Sequence, residues 1–302
     1  MPGGAALGAG LGRLMALQIA GEGGDVAAWD RDERGLEALL AEAAARDLPG
    51  AVCAQVVDLS SRAGIDAAVG RVLEAHPRVA AAGAAGGSGG VALAGFAAGW
   101  PGRVDALVNN AGVVSGKPFL ECSDRQVDLT MAVNALAPIW LTKRLLPGML
   151  ERGSGSVVTV ASAAGLQGVA TLVDYCASKH AAVGFMEALR VELKRGSSRV
   201  RTTLVCPYYI DTGMFEGVKT RVPLLLPIMR PELVARRIVR ALARAEEVVL
   251  LPGFVRTSWL CRFLFPTSVC DFLLRLMGIT ASMDDFKGRG GALEGRPPAK
   301  KE

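Results

Sequence analysis

The sequence predicts an α/β fold with a doubly wound parallel sheet and helices on both faces. Two observations lead to this prediction: strand-like and helix-like segments alternate along the chain, and the strand-like segments are short apolar runs bounded by turn residues. The chain has 302 residues, of which 51% are hydrophobic and 21% charged, so a large core can form. The same composition excludes a disordered chain.

Six apolar runs are predicted to be buried strands, at Asp25–Trp29, Val52–Val57, Val104–Val108, Val157–Val160, Thr203–Cys206 and Val248–Leu251. Six segments have helical periodicity, at Leu11–Ala20, Arg34–Arg46, Arg62–Ala75, Ser123–Leu150, Tyr175–Lys194 and Pro231–Ala245. This order predicts crossover connections, in which each helix covers one face of the sheet.

The beginning of the chain departs from the usual pattern of this fold class. A doubly wound sheet opens with an apolar strand that leads into a glycine turn, but Met1–Ala6 is too short and too rich in glycine for a strand. The first strand is therefore expected to be missing or degenerate. Arg13 interrupts the apolar run Leu7–Ala20, and no charged leader precedes it, so the sequence predicts no signal peptide.

A single domain is predicted for residues 1–286. A low-complexity segment rich in Ala and Gly interrupts it at residues 77–101, where we expect an inserted loop. The polar tail at residues 287–302 is predicted to be disordered.

Cysteine and charge patterns exclude several classes of site. The six cysteines are scattered without a CxxC pair and only two histidines are present, so neither a metal site nor a disulfide framework is predicted. The net charge of +5 is not concentrated in a basic stretch with interleaved aromatic residues. Nucleic acid is therefore not expected as a partner.

A glycine turn before the first helix predicts a dinucleotide site. Gly8, Gly10 and Gly12, with Leu11 between the last two, stand where backbone N–H groups at a helix N-terminus bind a pyrophosphate. Clustered glycines also arise by chance in a segment this rich in Ala and Gly. The turn is thus weak evidence on its own.

Acidic residues at two strand ends add to this prediction. Asp30 closes an apolar run about twenty residues after the glycine turn, where a carboxylate accepts hydrogen bonds from a ribose 2′-hydroxyl and repels a 2′-phosphate. NAD is therefore predicted as the cofactor, although Arg31 beside it leaves NADP open. Asp58 similarly offers a contact to the adenine edge. Both aspartates have an alternative interpretation as plain turn formers.

Tyr175 and Lys179 form the candidate catalytic pair. They are four residues apart on one predicted helix, and hence on the same face. A lysine cation in this position is expected to lower the pKa of the tyrosine and make it a general base. Ser162 follows a predicted strand at the carboxyl edge of the sheet, where ligands bind, and its hydroxyl is suited to the substrate oxygen. The alternative is an ordinary solvated helix face.

These motifs stand in the order and approximate spacing of the short-chain dehydrogenase/reductases, a family with the Rossmann-type fold. The resemblance covers about residues 7 to 286 and rests on the segments Gly10-Leu-Gly12, Asn109-Asn-Ala-Gly112, Asn134, Ser162, Tyr175-Cys-Ala-Ser-Lys179 and Pro207. Segments at residues 110–118, 174–179, 205–217 and 282–286 resemble the group that contains retinol dehydrogenase 10 and epidermal retinol dehydrogenase 2.

The resemblance implies roles for individual residues. Tyr175 would be the catalytic acid/base, Ser162 would orient the substrate oxygen, Lys179 would bind the nicotinamide ribose and Asn134 would hold a water in a proton relay. Tyr175 and Lys179 would therefore also contact the cofactor. Its remaining contacts would come from Asn109, Ala111, Gly112, Pro207, Ile210 and Thr212.

Pro138 supports one of these roles by independent reasoning. It lies four residues after Asn134 in a helical pattern and has no N–H, so it leaves the carbonyl of Asn134 free for a water. An equally good interpretation is a proline that bends a long helix around the core.

Two late segments are unusually apolar. They are Val222–Met229 and Val248–Ile279, and the second carries a net charge of +2 from Arg256, Arg262, Asp271 and Arg275. This composition suits an apolar pocket and contact with an anionic lipid surface. An ordinary core or a dimer face is the alternative.

Together these observations predict an NAD-dependent oxidoreductase that converts a lipophilic alcohol, with all-trans-retinol to retinaldehyde as the first hypothesis. A retinoid or steroid substrate, contact with the endoplasmic reticulum membrane or a lipid-droplet surface on the cytosolic face, and a homodimer are implied by the resemblance. The alternatives are a hydroxysteroid dehydrogenase, and a catalytically weak lipid-surface protein with a defective cofactor site.

Overall fold

The computed structural model describes residues 10–74 and 103–288. The glycine at position 8, the predicted insertion at residues 77–101 and most of the predicted tail lie outside these ranges, and so do the residues before Gly10. All strand pairs in the described ranges are parallel, and helices cover both faces, which confirms the predicted α/β class.

The first described range forms a small two-stranded sheet with three helices. In chain order the elements are α1 (Leu11–Gly21), β1 (Val26–Asp30), α2 (Glu33–Ala45), β2 (Val52–Val56) and α3 (Arg62–Glu74). The side chain of Asp32 accepts a hydrogen bond from the backbone N–H of Gly35 at 3.3 Å, which caps the first turn of α2.

The second range forms a four-stranded sheet in the order β3-β4-β5-β6. Its elements are β3 (Ala106–Asn109), α4 (Asp124–Met131), α5 (Ala137–Glu151), β4 (Ser156–Val160), α6 (Val173–Arg195), β5 (Arg201–Pro207), α7 (Pro231–Arg244), β6 (Val248–Leu251), α8 (Val255–Leu264) and α9 (Thr267–Leu276). All six predicted strands are present in the predicted order, with small shifts of their ends.

Within the described residues no strand precedes α1, and the two sheets are not hydrogen-bonded to each other. Helices bridge the break on both faces. On one face α1 packs against both α7 and α2, and on the other face α3 packs against α5. The two sheets therefore belong to one layered structure even though β1 and β3 are not paired.

The long predicted helix at Ser123–Leu150 is two helices joined by a wider turn. A capping box between Ser123 and Gln126 begins α4, and a π-helical turn at Ala132–Leu136 connects α4 to α5. Pro138 lies just after this turn and has no N–H for the carbonyl of Asn134, which accounts for the change in hydrogen bonding at this point.

The two helices near the end of the described chain, α8 and α9, were predicted only as an apolar stretch. Among the described residues, no helix combines the length and the apolar composition needed to cross a membrane.

Candidate active site

The candidate site lies at the carboxyl edge of the four-stranded sheet. Asn109 ends β3, Ser162 follows β4 and Pro207 ends β5, and parallel strands bring these ends to the same edge. A cavity of about 730 Å³ opens there. Most of the predicted site residues line it, namely Gly10, Leu11, Gly12, Asp30, Asn109, Ala111, Gly112, Ser162, Tyr175, Lys179, Pro207, Ile210 and Thr212.

Tyr175 and Lys179 lie on successive turns of α6 and are both buried. The Lys179 Nζ atom donates to the carbonyl oxygen of Val160 at 3.0 Å and lies 5.7 Å from the centroid of the Tyr175 ring. Gly165 makes this packing possible, because a Cβ at that position would lie 2.6 Å from the carbonyl oxygen of Lys179. The predicted pair therefore faces the strand end that carries Ser162.

Burial controls the ionisation of this pair. It raises the pKa of Tyr175 well above the usual value for a phenol, and a hydrogen bond with the Ser162 side chain only partly opposes the rise. Burial also lowers the pKa of Lys179 from 10.5 to about 8. The expectation that the lysine lowers the tyrosine pKa is therefore wrong for the described chain, because desolvation of the phenol raises it and the hydrogen bond with Ser162, not the lysine, opposes the rise.

Asn134 lies in the π-helical turn, and its buried side chain is fully hydrogen-bonded. Its Oδ1 atom accepts from Val113 N at 2.8 Å, and its Nδ2 atom donates to Val113 O at 2.9 Å and to Ser178 Oγ at 3.0 Å. Asn134 therefore ties the segment after β3 to α6. Because the side chain is occupied by these hydrogen bonds, a water of the predicted proton relay would have to bind the backbone carbonyl of Asn134. This role stays a prediction.

Asp174 is a functional candidate that the sequence reasoning missed. It is buried beside Tyr175, and its carboxylate accepts hydrogen bonds from Ser115 Oγ at 2.6 Å and Thr130 Oγ1 at 2.9 Å. These bonds link the start of α6 to the segment after β3 and to α4. Its position next to the candidate base was the one available signal.

The other end of the cavity fits a dinucleotide. Gly10 precedes α1, and no side chain caps the first turn, so its N–H groups are available to a phosphate. A Cβ on Gly12 would lie 2.9 Å from Asn110 Nδ2, so a side chain there would displace Asn110. Asn109 Oδ1 is buried without a hydrogen-bond partner in the described part of the chain, which leaves an acceptor for a ligand.

The two predicted acidic contacts differ in position. Asp30 lines the main cavity at the end of β1, where its Oδ1 atom accepts from Asp32 N at 3.1 Å. Asp58 lines a neighbouring cavity of about 350 Å³. Its carboxylate accepts from both the backbone N–H and the hydroxyl of Ser60, as in the turn-forming alternative.

A second, apolar pocket of about 50 Å³ adjoins Ser162 and Tyr175. Tyr208 lines it together with Tyr209 and Phe215. The rings of Tyr175 and Phe215 contact edge to face at 5.8 Å. The remaining wall is mostly aliphatic, includes Phe254 and Gln167, and comes partly from α9 through Leu274. An apolar wall therefore lies directly beside the candidate catalytic hydroxyl groups.

Comparison with known proteins decides the family. A model of the short chain dehydrogenase family matches residues 90–222. Short-chain dehydrogenase/reductase family 16C member 6 of Bos taurus is 34% identical over 279 residues, which cover 92% of this chain and 80% of that protein. The chain belongs to the short-chain dehydrogenase/reductase family. As a member, it is an oxidoreductase that acts on CH–OH donors and uses a nicotinamide cofactor.

Other relatives of this short-chain dehydrogenase/reductase are retinol dehydrogenases. Epidermal retinol dehydrogenase 2 of Homo sapiens is 34% identical over 283 residues, covering 92% of this chain and 82% of that protein. Retinol dehydrogenase 10-A of Danio rerio is 41% identical over 188 residues, covering 61% of this chain and 56% of that protein. The predicted resemblance to this group is confirmed.

Solved structures support the fold of this short-chain dehydrogenase/reductase. A metagenomic short-chain oxidoreductase, solved in complex with NADP, superposes with a TM-score of 0.60 at 25% identity and covers 81% of this chain and 91% of its own. A short-chain dehydrogenase from Sphingobium yanoikuyae superposes with a TM-score of 0.65 at 21% identity. The superposition covers 90% of this chain and 92% of that protein. The second likeness concerns the fold alone.

Proposed function

We propose that this protein oxidises a lipophilic alcohol with NAD, and that all-trans-retinol, converted to retinaldehyde, is the substrate. The observation that carries the proposal is the position of Ser162 and Tyr175. Both residues line the main cavity of about 730 Å³ and also the smaller apolar pocket that contains the aromatic side chains. An alcohol oxygen at this hydroxyl pair would place the apolar part of the substrate against the aromatic and aliphatic wall beside it. Similarity to retinol dehydrogenases at 34% and 41% identity supports this substrate class.

The chain's own residues supply the proton chemistry. When bound, the nicotinamide cofactor supplies the acceptor for the hydride that leaves the alcohol carbon. The Ser162 hydroxyl orients the alcohol oxygen, and the deprotonated Tyr175 oxygen takes the proton from that oxygen. Burial disfavours the phenolate that this role requires, so the Lys179 ammonium, 5.7 Å from the centroid of the Tyr175 ring, would have to stabilise it in the complex with cofactor and substrate. Reduction of the carbonyl reverses these proton transfers.

Asp30 is the basis for proposing NAD rather than NADP. Its carboxylate ends β1 and lines the main cavity, where it suits a ribose 2′-hydroxyl and repels a 2′-phosphate. Asn109, Ala111 and Gly112 on one side of the cavity, and the segment from Pro207 to Thr212 on the other, would hold the nicotinamide end.

Turnover with purified protein tests the proposal. All-trans-retinol with NAD is expected to give retinaldehyde, whereas Tyr175→Phe, which keeps the ring and removes the hydroxyl, is expected to give none. Faster turnover of a 17β-hydroxysteroid would favour the hydroxysteroid alternative. Absence of turnover with either substrate, in a protein that is folded by circular dichroism, would contradict the proposed activity.

The break between the two sheets favours a second candidate, a catalytically weak protein of the lipid surface. Gly10 and Asp30 lie at the β1 side of the cavity, and no described strand joins that side to β3. Isothermal titration separates the candidates. Saturable heat on addition of NAD supports the enzyme, and no heat supports the weak-binding alternative.

We also propose that α8 and α9 contact an anionic lipid surface, on the cytosolic face of the endoplasmic reticulum or a lipid droplet. Their exposed apolar side chains form a patch, made of Trp259, Leu260, Phe263, Leu264, Phe265, Val269, Phe272 and Leu276. Arg256, Arg262 and Arg275 outnumber Asp271 on the same two helices. Aromatic side chains beside arginines are typical of interfacial helices.

The same two helices also border the substrate pocket, which favours a lipid surface over other occupants of the patch. Val255, Leu274 and Met277 line that pocket beside Tyr175. Vesicle sedimentation tests the contact. Binding to vesicles with anionic lipid is expected to fall strongly in Phe263→Ser/Phe272→Ser. Binding that is unchanged in this variant, or equal on neutral vesicles, would contradict the proposal.

A homodimer is a further proposal, supported by the family resemblance, through helices that include residues 123–150 and 175–194. Light scattering after size exclusion measures the mass directly. If Phe263→Ser/Phe272→Ser converts a dimer to a monomer, the patch on α8 and α9 is a dimer face instead of a lipid surface.

A further inference from the structure

Asp174 lies where the first turn of α6 meets two other parts of the chain. Its carboxylate is 3% exposed and accepts hydrogen bonds from Ser115 Oγ at 2.6 Å and from Thr130 Oγ1 at 2.9 Å. Both partners are buried as well. Because a carboxylate only accepts hydrogen bonds, both hydroxyl groups donate to it, and their directions are fixed. The three side chains therefore form a buried polar cluster.

The first turn of α6 relies on this cluster, because the helix begins without a side-chain cap. Leu172 stands at the cap position. Tyr175 lies in the same first turn, directly beside Asp174. The next turn is held in a different way, by the hydrogen bond from Lys179 Nζ to the carbonyl of Val160. Asp174 therefore holds the end of the helix that carries the candidate base.

Ser115 belongs to the segment that would hold the nicotinamide end of the cofactor. This segment follows β3 and contains Gly112. A Cβ on Gly112 would lie 3.5 Å from Asn134 Oδ1 and 3.7 Å from Lys179 Nζ, so the segment passes close to the candidate lysine. The hydrogen bond from Ser115 to Asp174 therefore ties the cofactor side of the site to the first turn of α6.

We propose that Asp174 is a positioning residue for the reaction, and that through Ser115 it sets where Tyr175 stands relative to the cofactor-contacting segment. The inference rests on the catalytic role proposed for Tyr175. Reacting groups must be held close together and aligned, so a small shift of Tyr175 against this segment lowers the rate strongly. Thr130 holds the same carboxylate from α4, and α4 carries none of the proposed catalytic or cofactor-binding residues.

Ser115→Ala and Thr130→Val form a matched pair, because each removes one hydroxyl group from the same carboxylate. A single turnover of all-trans-retinol with excess protein and saturating NAD is followed by the absorbance of the reduced nicotinamide. Its rate constant reports the reaction in active molecules, and its amplitude reports their fraction. The rate constant is expected to fall about tenfold or more in Ser115→Ala and to stay within about threefold of wild type in Thr130→Val.

Steady-state turnover adds a second measure. The KM for retinol should stay within about twofold of wild type in both variants, because no residue of the cluster lines the apolar pocket. Equal loss of the rate constant in the two variants overturns the proposal, and so does an unchanged rate constant in Ser115→Ala. A loss confined to the amplitude also overturns it, since the cluster then serves only to keep the chain folded.

Failure of the proposed function gives a different result. Tyr175→Phe that turns over like wild type removes the basis of the inference. If wild type oxidises no alcohol, hydrogen exchange of the cofactor-free chain decides on Asp174. Peptides spanning residues 111–116 are then expected to exchange at least about fivefold faster in Ser115→Ala than in Thr130→Val. Equal exchange in the two variants overturns the link between Asp174 and this segment.

Discussion

Lys179→Met removes a buried ammonium from the candidate site, and it should flatten the dependence of stability on alkaline pH. Burial lowers the pKa of Lys179 from 10.5 to about 8. At 1.36 kcal/mol for each pKa unit, a shift of this size corresponds to roughly 3 kcal/mol of unfolding free energy. Below both values the folded and unfolded chains are equally protonated at this group, and the folded chain carries the full penalty of the buried charge.

The sign follows from proton binding. Between about pH 8 and 10.5 the unfolded chain holds a proton at Lys179 that the folded chain has lost, so the Lys179 contribution raises the unfolding free energy as pH rises. Tyr175 has the opposite sign, because its raised pKa keeps the folded chain protonated where the unfolded chain ionises. Tyr175 is present in both proteins, so subtracting the unfolding free energy of Lys179→Met from that of wild type removes most of the Tyr175 contribution.

Urea unfolding followed by circular dichroism, without added cofactor and at about one-unit steps from about pH 7 to 10, measures this difference. The unfolding free energy of wild type relative to Lys179→Met is expected to increase by roughly 2.5 kcal/mol across the range. Lys143→Met, at an exposed position on α5, is the matched control and should leave the slope of wild type unchanged. Parallel curves for wild type and Lys179→Met would refute the argument from burial.

Three further changes test the packing and specificity of the site. Gly165→Ala places a Cβ 2.6 Å from the carbonyl oxygen of Lys179, so urea unfolding should show a loss of about 1–3 kcal/mol. Gly184→Ala lies inside α6, where a Cβ would meet nothing within 4 Å, so it should instead gain up to about 1 kcal/mol. A similar loss of stability in both variants would contradict the close-approach explanation. Asp174→Asn replaces an acceptor of two hydroxyl hydrogen bonds, so unfolding should show a loss of about 1–3 kcal/mol, and an unchanged midpoint would count against its linking role. Asp30→Ser should raise kcat/KM for NADP relative to NAD by about tenfold, and an unchanged ratio would exclude Asp30 as the selective group.

Much of the fold was predictable because its signals are local. Each buried parallel strand is a short apolar run, and the runs at β4 and β6 could be placed within a residue of their ends. The π-helical turn before Pro138 was not predictable as such, since the proline indicates only a lost hydrogen bond and the backbone response depends on what packs around it.

The site was predictable in its composition but not in its electrostatics. The spacing of Tyr175 and Lys179 fixed their common face, and the strand end fixed the position of Ser162. The pKa direction of Tyr175 was wrong because the prediction weighed a nearby charge and not burial, which depends on residues distant in sequence. Asp174 was missed for the same reason, since its partners Ser115 and Thr130 become neighbours only in the folded chain.

The sheet break connects these results, because the cofactor side of the site is built on β1 and the catalytic side on the four-stranded sheet. Asp30 belongs to the first part, and Ser162 and Tyr175 belong to the second, with α1 and α5 holding the two parts together from opposite faces. Helix packing, with an ion pair between Arg144 of α5 and Asp66 of α3, holds the layers together, but among the described strands no backbone hydrogen bonds join β1 to β3. Cofactor affinity should therefore depend on how well the β1 side is held, whereas the geometry of Ser162, Tyr175 and Lys179 should not. The weak-binding candidate proposed above would keep the geometry of Ser162, Tyr175 and Lys179 and lose affinity for the nicotinamide cofactor.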